Sequence, residues 1–283
     1  MDLSGFNVTI VGLGLIGGSI ALSLKKLNPN KIWAIDNNRD TLNLAISNKV
    51  ISDNISDSEK IKKSDLVVIC LYPNDTVEFI KKNIHNFKSN AIITDVSGMK
   101  ENLIKEINSI ERKDINFIGG HPMAGKEVSG FQNADANLFK DCNYFIVPSQ
   151  KSSNESIELY KQILVSIGCK KVINVDAADH DKLIAYISHL PHIIAVALIN
   201  ADTNNLSLNN IIGGSFKDAT RVADINARLW SELFMDNKKN IIPVINDFIT
   251  SLAKIKNSLE KNDVNTLECL LNSASQKRKE IKK

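Results

Sequence analysis

Closely spaced cysteines are absent from this sequence of 283 residues. Its four cysteines stand far apart and form no Cys-x-x-Cys pair; they are Cys70, Cys142, Cys169 and Cys269. Such spacing argues against a zinc site and against a disulfide framework. Reduced thiols in a cytoplasmic protein are the simplest interpretation.

The sequence also lacks the patterns of a signal peptide and of a membrane-spanning segment. The N-terminus shows no charged stretch followed by an apolar stretch, as a signal peptide would. No apolar run reaches the roughly 20 residues that cross a bilayer. We therefore expect a soluble, cytoplasmic protein without a membrane partner.

Strong charge of one sign is lacking too, because the formal net charge is only +3 at pH 7. The one dense basic group lies near the C-terminus, where Lys277, Arg278 and Lys279 precede Lys282 and Lys283. Cations are favourable at the C-terminus of a helix, so this group is typical of a solvated helix end. The sequence thus predicts no nucleic-acid partner.

Short apolar runs alternate with helical patterns in the first part of the chain. Strands are predicted at 7–11, 32–35, 66–71, 91–94, 116–118, 144–147 and 171–175, and helices at 15–27, 39–48 and 156–167. Uninterrupted runs rich in β-branched residues are typical of parallel strands that are covered on both faces. The alternation predicts an α/β fold with a Rossmann-type, doubly wound parallel sheet.

The pattern changes near Asp176. From Ala177 onward, apolar residues recur at spacings of three and four, as in Ile241, Ile245 and Phe248, which predicts helices. We therefore expect two domains, an α/β domain over 1–175 and an all-helical domain over 176–283.

A glycine-rich loop, Gly12-Leu13-Gly14-Leu15-Ile16-Gly17, joins the first predicted strand to the first predicted helix. Gly12 permits a tight turn, Gly14 lets the backbone approach a pyrophosphate, and Gly17 lets helix and strand pack closely. Free N–H groups at the start of the helix attract phosphate. In this context the loop, including Leu15 and Ile16, predicts a dinucleotide-binding site.

Asp36 ends the second predicted strand, where a carboxylate commonly binds the 2′-hydroxyl of the adenosine ribose. A carboxylate repels a 2′-phosphate, so NAD is favoured over NADP. Arg39 is the opposing signal, since a nearby arginine can bind that phosphate, but we place it in the first turn of the next helix. A glycine turn followed by a surface aspartate is the alternative to a cofactor site.

Two later strand ends carry further candidates for the cofactor site. Leu71 and Pro73 follow one strand, and Asp95 and Ser97 follow the next. Ligands of open α/β sheets bind beyond the carboxyl ends of the strands. These four residues are therefore predicted to lie near the nicotinamide half of the cofactor.

His121 lies between Gly120 and Pro122, in what the pattern predicts to be a loop after a strand. A neutral imidazole there could accept a hydrogen bond from a substrate hydroxyl and help its hydride leave. A loop histidine with only a local hydrogen bond is an equally open interpretation.

The helical half contains further polar candidates. His189 and His192 are three residues apart, but no third ligand at a telling spacing supports a metal site. Arg221 is a candidate to bind a carboxylate, because a guanidinium matches its geometry, although a surface ion pair is the alternative. Trp230 is expected in the core, and 179–181 (Asp-His-Asp) on the surface at a helix N-terminus.

These segments together resemble the prephenate dehydrogenase family, which includes relatives that use arogenate. The resemblance covers nearly the whole chain and rests on 11–19, 95–100, 119–125, 188–192 and 213–221, followed by Trp230. The His-Pro-x-x-Gly, Ser-His-Leu-Pro-His and Gly-Gly-x-Phe-x-Asp-x-Thr-Arg segments are its most specific parts.

The resemblance implies a Rossmann domain followed by a helical domain that forms a homodimer. It implies NAD-dependent oxidative decarboxylation of prephenate to 4-hydroxyphenylpyruvate, in tyrosine biosynthesis. Carried over by position, His121 would contact the ring hydroxyl of the substrate and Arg221 a substrate carboxylate. His192 would shape the substrate pocket, with Gly214 and Trp230 close by.

One position departs from the family pattern. The family usually has Asp-x-Gly-Ser in the loop where this chain has Ser97-Gly98. Either Ser97 reaches the site of the usual serine by another backbone path, or that contact is absent.

Two other functions stay open on the sequence alone. The first is a dehydrogenase of the same two-domain plan that acts on another small acid, for which Lys182 would be the candidate catalytic lysine. The second is a non-catalytic protein that senses NAD. Such a protein would keep the glycine loop and Asp36 but would not need His121 and Arg221 together.

Overall fold

The computed structural model describes residues 1–54, 59–126, 128–202 and 212–281. Within these residues, eight strands form one sheet in the order β3-β2-β1-β4-β5-β6-β7-β8. The strands are β1 Asn7–Val11, β2 Lys31–Ile35, β3 Asp53–Asn54, β4 Leu66–Ile69, β5 Ile92–Asp95, β6 Asn116–Pro122, β7 Asn143–Pro148 and β8 Lys171–Asn174. Two clusters of buried apolar side chains cover the sheet.

The described part of the sheet half contains five α-helices: α1 Leu15–Lys25, α2 Arg39–Ser47, α3 Pro73–Asn83, α4 Glu101–Ser109 and α5 Asn154–Ser166. Local sequence explains several of their starts. The Asn38 side chain caps α2, Pro73 occupies the first turn of α3, and the Ser153 hydroxyl caps α5. The predicted α/β fold is confirmed.

One strand pair runs against the predicted parallel direction. Every neighbouring pair is parallel except β6 and β7, which are antiparallel. A parallel crossover needs a connection that usually contains a helix. In its described part, the connection from β6 to β7 contains only the short 3₁₀ turn Phe131–Asn133.

Strand β6 is longer than the apolar pattern predicts. It continues past Ile118 to Pro122, and His121 pairs with Phe145 of β7. The prediction that His121 lies in a loop is therefore wrong. The glycines reflect crowding, because a Cβ on Gly120 would lie 2.5 Å from the carbonyl oxygen of Asp95.

The rest of the described chain is helical, beginning at Ala177, three residues after the last strand. It comprises α6 Ala177–Ile184, the π-helical turn Ala185–His189, α7 Leu190–Asn200, α8 Gly214–Thr220, α9 Ala227–Asp236, α10 Lys238–Glu260 and α11 Val264–Ile281. Lys277, Arg278 and Lys279 are exposed near the end of α11, as expected. Lys282 and Lys283 lie outside the described residues.

The stretch Ala177–Asn200 is continuous through the π-helical turn. By length and composition alone it could cross a membrane, which contradicts the expectation that no segment reaches that length. The stretch also carries the buried polar residues His180 and Asp181 and packs against α10. These contacts pack the helix against the rest of the chain, whereas Leu183, Tyr186 and Ile187 on it are exposed.

Candidate active site

The glycine loop has the geometry that its sequence predicts. Gly12 has a φ of +88°, and a Cβ on it would lie 2.5 Å from the carbonyl oxygen of Cys70. A Cβ on Gly17 would lie 1.9 Å from the carbonyl oxygen of Gly12. Only glycine fits these two positions, because the end of β4 lies against Gly12 and α1 packs closely on the loop at Gly17.

Gly14 differs from these two glycines. It is the N-cap of α1, it is exposed, and a Cβ on it would meet nothing within 4 Å. No side chain caps this helix, and its first turn has no acidic residue. The N–H groups of Leu15 and Ile16 therefore begin a helix whose positive end faces open space, which suits a pyrophosphate.

Asp36 lies directly beside the loop. Its carboxylate accepts hydrogen bonds from the backbone N–H groups of Leu13, at 2.7 Å, and Asn38, at 2.8 Å. Arg39 is exposed in the first turn of α2, as expected. At the next strand end, Leu71 lies against the Gly12 turn, whereas Pro73 is buried at the start of α3.

Asp95 has a different setting from the one predicted. Its side chain is fully buried and bonded to Ser97, to the backbone N–H of Gly120 at 3.1 Å, and to Lys100 Nζ at 2.8 Å. No atom of this side chain is accessible for the direct cofactor contact that we expected. Its bond to Gly120 instead fixes the part of β6 that precedes His121.

Lys100 is the partner of Asp95 and has no accessible surface. Burial is the largest cause that lowers the pKa of its ammonium, and the neighbouring Asp95 carboxylate opposes that shift. No sequence pattern distinguished Lys100 from the many exposed lysines. Lys182, the candidate for the alternative dehydrogenase, is exposed.

The Ser97 hydroxyl points into this buried cluster. It lies 2.6 Å from Asp95 Oδ2 and 2.9 Å from the carbonyl oxygen of Met99. Gly98 is the residue beside His121, since a Cβ on it would lie 3.9 Å from His121 Nε2. Of the two alternatives for the displaced serine, this geometry favours an absent contact.

Two buried residues from the helical half complete the surroundings of His121. His121 Nδ1 lies 2.9 Å from His180 Nε2, and His180 Nδ1 lies 2.7 Å from Asp181 Oδ1. The prediction that 179–181 lie on the surface is wrong for His180 and Asp181 and holds for Asp179, which is exposed. Residue spacing in the sequence does not predict the burial of His180 and Asp181, because this burial results from the packing of α6 against α4 and β7.

Burial also determines the charge of these imidazoles. It is the main cause that lowers the pKa of His121 well below 6.5, and His180, Lys100 and His189 add to this shift. Burial likewise lowers the pKa of His180. Both rings are therefore neutral at pH 7, the state in which a histidine can accept a proton.

A cluster of aromatic rings holds two more of the predicted residues, His192 and Trp230. The His192 ring stacks on Trp230 with 3.8 Å between centroids, and His189 packs edge-on against Trp230 and Phe234. His189 is buried at the end of the π-helical turn, which lowers its pKa to about 4. Leu190 N–H bonds to the carbonyl oxygen of Ala185, five residues back, a widened turn that is frequent at functional sites.

Arg221 and Gly214 belong to elements that both pack against α7, the helix of His192. Gly214 opens α8 and is exposed. Arg221 is exposed and begins the 3₁₀ turn Arg221–Ala223, which packs against α7, the helix of His192. Among the described residues, no group of three His, Cys, Asp or Glu side chains could hold a metal ion.

Two family models match the chain. The model described as "Prephenate dehydrogenase, nucleotide-binding domain" matches 20–173, and "Prephenate dehydrogenase, dimerization domain" matches 176–273. These matches cover most of both halves.

Similar proteins agree with these models. A prephenate dehydrogenase of Bacillus subtilis (strain 168) is 30% identical over 92% of this chain and 72% of its own length. A prephenate dehydrogenase of Lactococcus lactis is 29% identical over 92% of this chain and 73% of its own length. The crystal structure of prephenate dehydrogenase from A. aeolicus, in complex with hydroxyphenyl propionate and NAD+, has a TM-score of 0.88 at 30% identity, covering 99% of this chain and 98% of that one.

Proposed function

The chain belongs to the prephenate dehydrogenase family, and we propose that it converts prephenate into 4-hydroxyphenylpyruvate with NAD as the oxidant. One observation carries the assignment of the catalytic residue. His121 is a neutral imidazole at the carboxyl end of β6, with its Nδ1 bonded to the buried His180. Its other nitrogen, Nε2, would accept a hydrogen bond from a substrate hydroxyl.

The residues around the glycine loop suit NAD. The uncapped N-terminus of α1 and the open space at Gly14 would receive the pyrophosphate. Asp36, held beside the loop by Leu13 N–H, would accept from the ribose 2′-hydroxyl. Bound NAD supplies the acceptor for a hydride.

The proposed reaction needs no covalent bond between the protein and the substrate. A hydride leaves the carbinol carbon of the ring, and the ring carboxylate leaves as carbon dioxide, its bonding electron pair entering the ring. His121 Nε2 accepts the hydrogen bond of the ring hydroxyl and draws its proton as the hydride departs. It returns the proton to the phenolic oxygen once the ring is aromatic.

The remaining predicted residues belong to the substrate side. Arg221, on the turn that packs against α7, would bind a substrate carboxylate. The stacked rings of His192 and Trp230 would form one wall of the pocket, with Gly214 nearby. Positioning and charge stabilisation of this kind suffice, because aromatisation drives the reaction.

We also propose that the protein is a cytoplasmic homodimer that acts in tyrosine biosynthesis. The helical half supports the dimer, since it matches a dimerization domain and exposes apolar side chains along α10.

Two variants separate chemistry from binding in this proposal. We expect His121→Asn to lower kcat by about 10²-fold or more while NAD binds nearly as in the wild type, because the proton acceptor is lost. We expect Arg221→Ala mainly to raise the KM for prephenate, because a carboxylate contact is lost. Steady-state kinetics with prephenate and titration with NAD measure both effects.

Each variant has its own contradicting result. A kcat for His121→Asn near that of the wild type would remove His121 from the chemistry. An unchanged KM for Arg221→Ala would remove Arg221 from the substrate site.

A further inference from the structure

Both ring nitrogens of His180 are engaged in hydrogen bonds inside the protein. The side chain has no accessible surface, Nδ1 lies 2.7 Å from Asp181 Oδ1, and Nε2 lies 2.9 Å from His121 Nδ1. The ring of Phe145 packs edge-on against it, with 5.5 Å between centroids. The plane of the His180 ring is therefore fixed by contacts on several sides.

These contacts determine which nitrogen carries each proton. Asp181 Oδ1 is an acceptor, so the proton of a neutral His180 lies on Nδ1. Its Nε2 then has a lone pair and accepts the Nδ1–H of His121. The proton of His121 is thereby placed on Nδ1, and its Nε2 is left with a lone pair toward Gly98.

Asp181 is itself held rigidly by backbone groups of another element. Its Oδ1 accepts from Lys100 N–H at 3.0 Å, and its Oδ2 accepts from Glu101 N–H at 2.9 Å. These bonds join the start of α4 to α6. The carboxylate that orients His180 is therefore itself held in place by the backbone at the start of α4.

We propose that His180 and Asp181 are positioning residues that hold the catalytic His121 in the tautomer with an unprotonated Nε2. This inference rests on the proposed role of His121. When His121 takes the proton of the substrate, His180 accepts from the charged ring and Asp181 supplies the negative charge behind it, as in an Asp-His pair of a hydrolase.

Of the charged groups near the hydrogen-bonded residues His121, His180 and Asp181, Asp181 is the anion that acts on His121 through His180. Lys100 faces His121 and His180, but its charge is paired with Asp95 in a buried ion pair. His189 also faces His121 and is neutral at pH 7, because burial lowers its pKa to about 4.

Asp181→Asn tests the proposal while keeping the shape of the side chain. Its amide oxygen can still accept from Lys100 N–H and His180 Nδ1–H, so this variant mainly removes the negative charge behind His180. We expect kcat for prephenate to fall by about tenfold or more, because no carboxylate then stabilises the charged His121–His180 pair, with KM and the Kd for NAD within about threefold of wild type. Asp179→Asn, exposed on the same helix, is the matched control and should retain wild-type kinetics.

The ¹⁵N NMR spectrum of the histidines gives a second measurement that needs no substrate. We expect His121 of the wild type to be protonated on Nδ1. A wild-type His121 protonated on Nε2 would overturn the proposal, even if the variant fails to fold. A kcat for Asp181→Asn within about threefold of wild type would also overturn it, whereas wild type without prephenate-dependent NADH formation would refute the proposed function alone.

Discussion

The buried His180 and His189 and the half-buried His121 link the protonation of single residues to the stability of the fold. Burial lowers the pKa values of His121, His180 and His189, the last to about 4. In the unfolded chain the pKa of a histidine is about 6.5. Below that pH the unfolded state binds more protons than the folded state, so stability is complete above pH 6.5 and falls as the pH decreases toward the folded pKa values.

We therefore expect the free energy of unfolding to fall as the pH decreases from 6.5 to about 4. His189→Gln should make this decline shallower, by up to about 1.4 kcal/mol per pH unit, because one buried group no longer titrates. Urea unfolding at a series of pH values measures the slope.

His85→Gln is the control, since His85 is exposed. It should leave the slope unchanged. Equal slopes for wild type and His189→Gln would contradict the account of His189.

Sequence alone could predict the residues whose role is set by their neighbours in the chain. Gly12 and Gly17 follow from one loop motif, since their steric limits come from the turn itself and from Cys70. His180 and Asp181 could not be found in this way. His180 is 59 positions from His121 in the chain, and only the packing of α6 on β7 brings them together.

At the scale of elements, the loop between β1 and α1 contains glycines with two different roles. Gly17 is required by the packing of the fold, whereas Gly14 is proposed to leave space for the cofactor. Gly17→Ala should destabilise the protein, because its Cβ would lie 1.9 Å from a backbone oxygen. Gly14→Ala should leave the unfolding temperature within a few degrees of wild type but weaken NAD binding by about tenfold or more, because a methyl group would occupy the pyrophosphate position. Thermal unfolding and NAD titration measure the two effects.

The results for Gly14→Ala and Gly17→Ala test the two proposed roles separately. If Gly14→Ala binds NAD as tightly as wild type, the pyrophosphate does not approach this backbone. If Gly17→Ala is as stable as wild type, the close packing of α1 on β1 is not a constraint.

Most elements of the sheet half follow from hydrophobic patterning, and the exceptions have physical reasons. β3 has only two residues and offers no pattern of its own. β6 extends beyond its apolar run because β7 supplies an antiparallel partner for Gly119, Gly120 and His121. The π-helical turn before Pro191 packs against α10, a contact that no local pattern predicts.

At the scale of the whole molecule, the helical half presents an apolar face that the described part of the chain does not cover. Ile249, Leu252 and Leu259 recur along one side of α10, each more than half exposed. Exposed apolar patches of this kind mark interfaces. Together with the match to a dimerization domain, this supports a homodimer.

We expect the wild type to have the mass of a dimer in light scattering, and Leu252→Asp to shift it toward the monomer, because a charge would be buried in the interface. Val165→Asp is the control, since Val165 is equally exposed on α5 of the sheet half. A monomeric wild type, or a Leu252→Asp variant that stays fully dimeric, would contradict an interface along this side of α10.

The substrate and the cofactor together form the central claim, and one assay tests both. Formation of the reduced cofactor is followed by absorbance with prephenate or arogenate, each with NAD or NADP, and His121→Asn serves as the blank. The account predicts rapid NADH formation with prephenate and NAD, one carbon dioxide per NADH, and much slower reaction with NADP, because Asp36, the proposed ligand of the ribose, would repel a 2′-phosphate. No NADH from prephenate would contradict it.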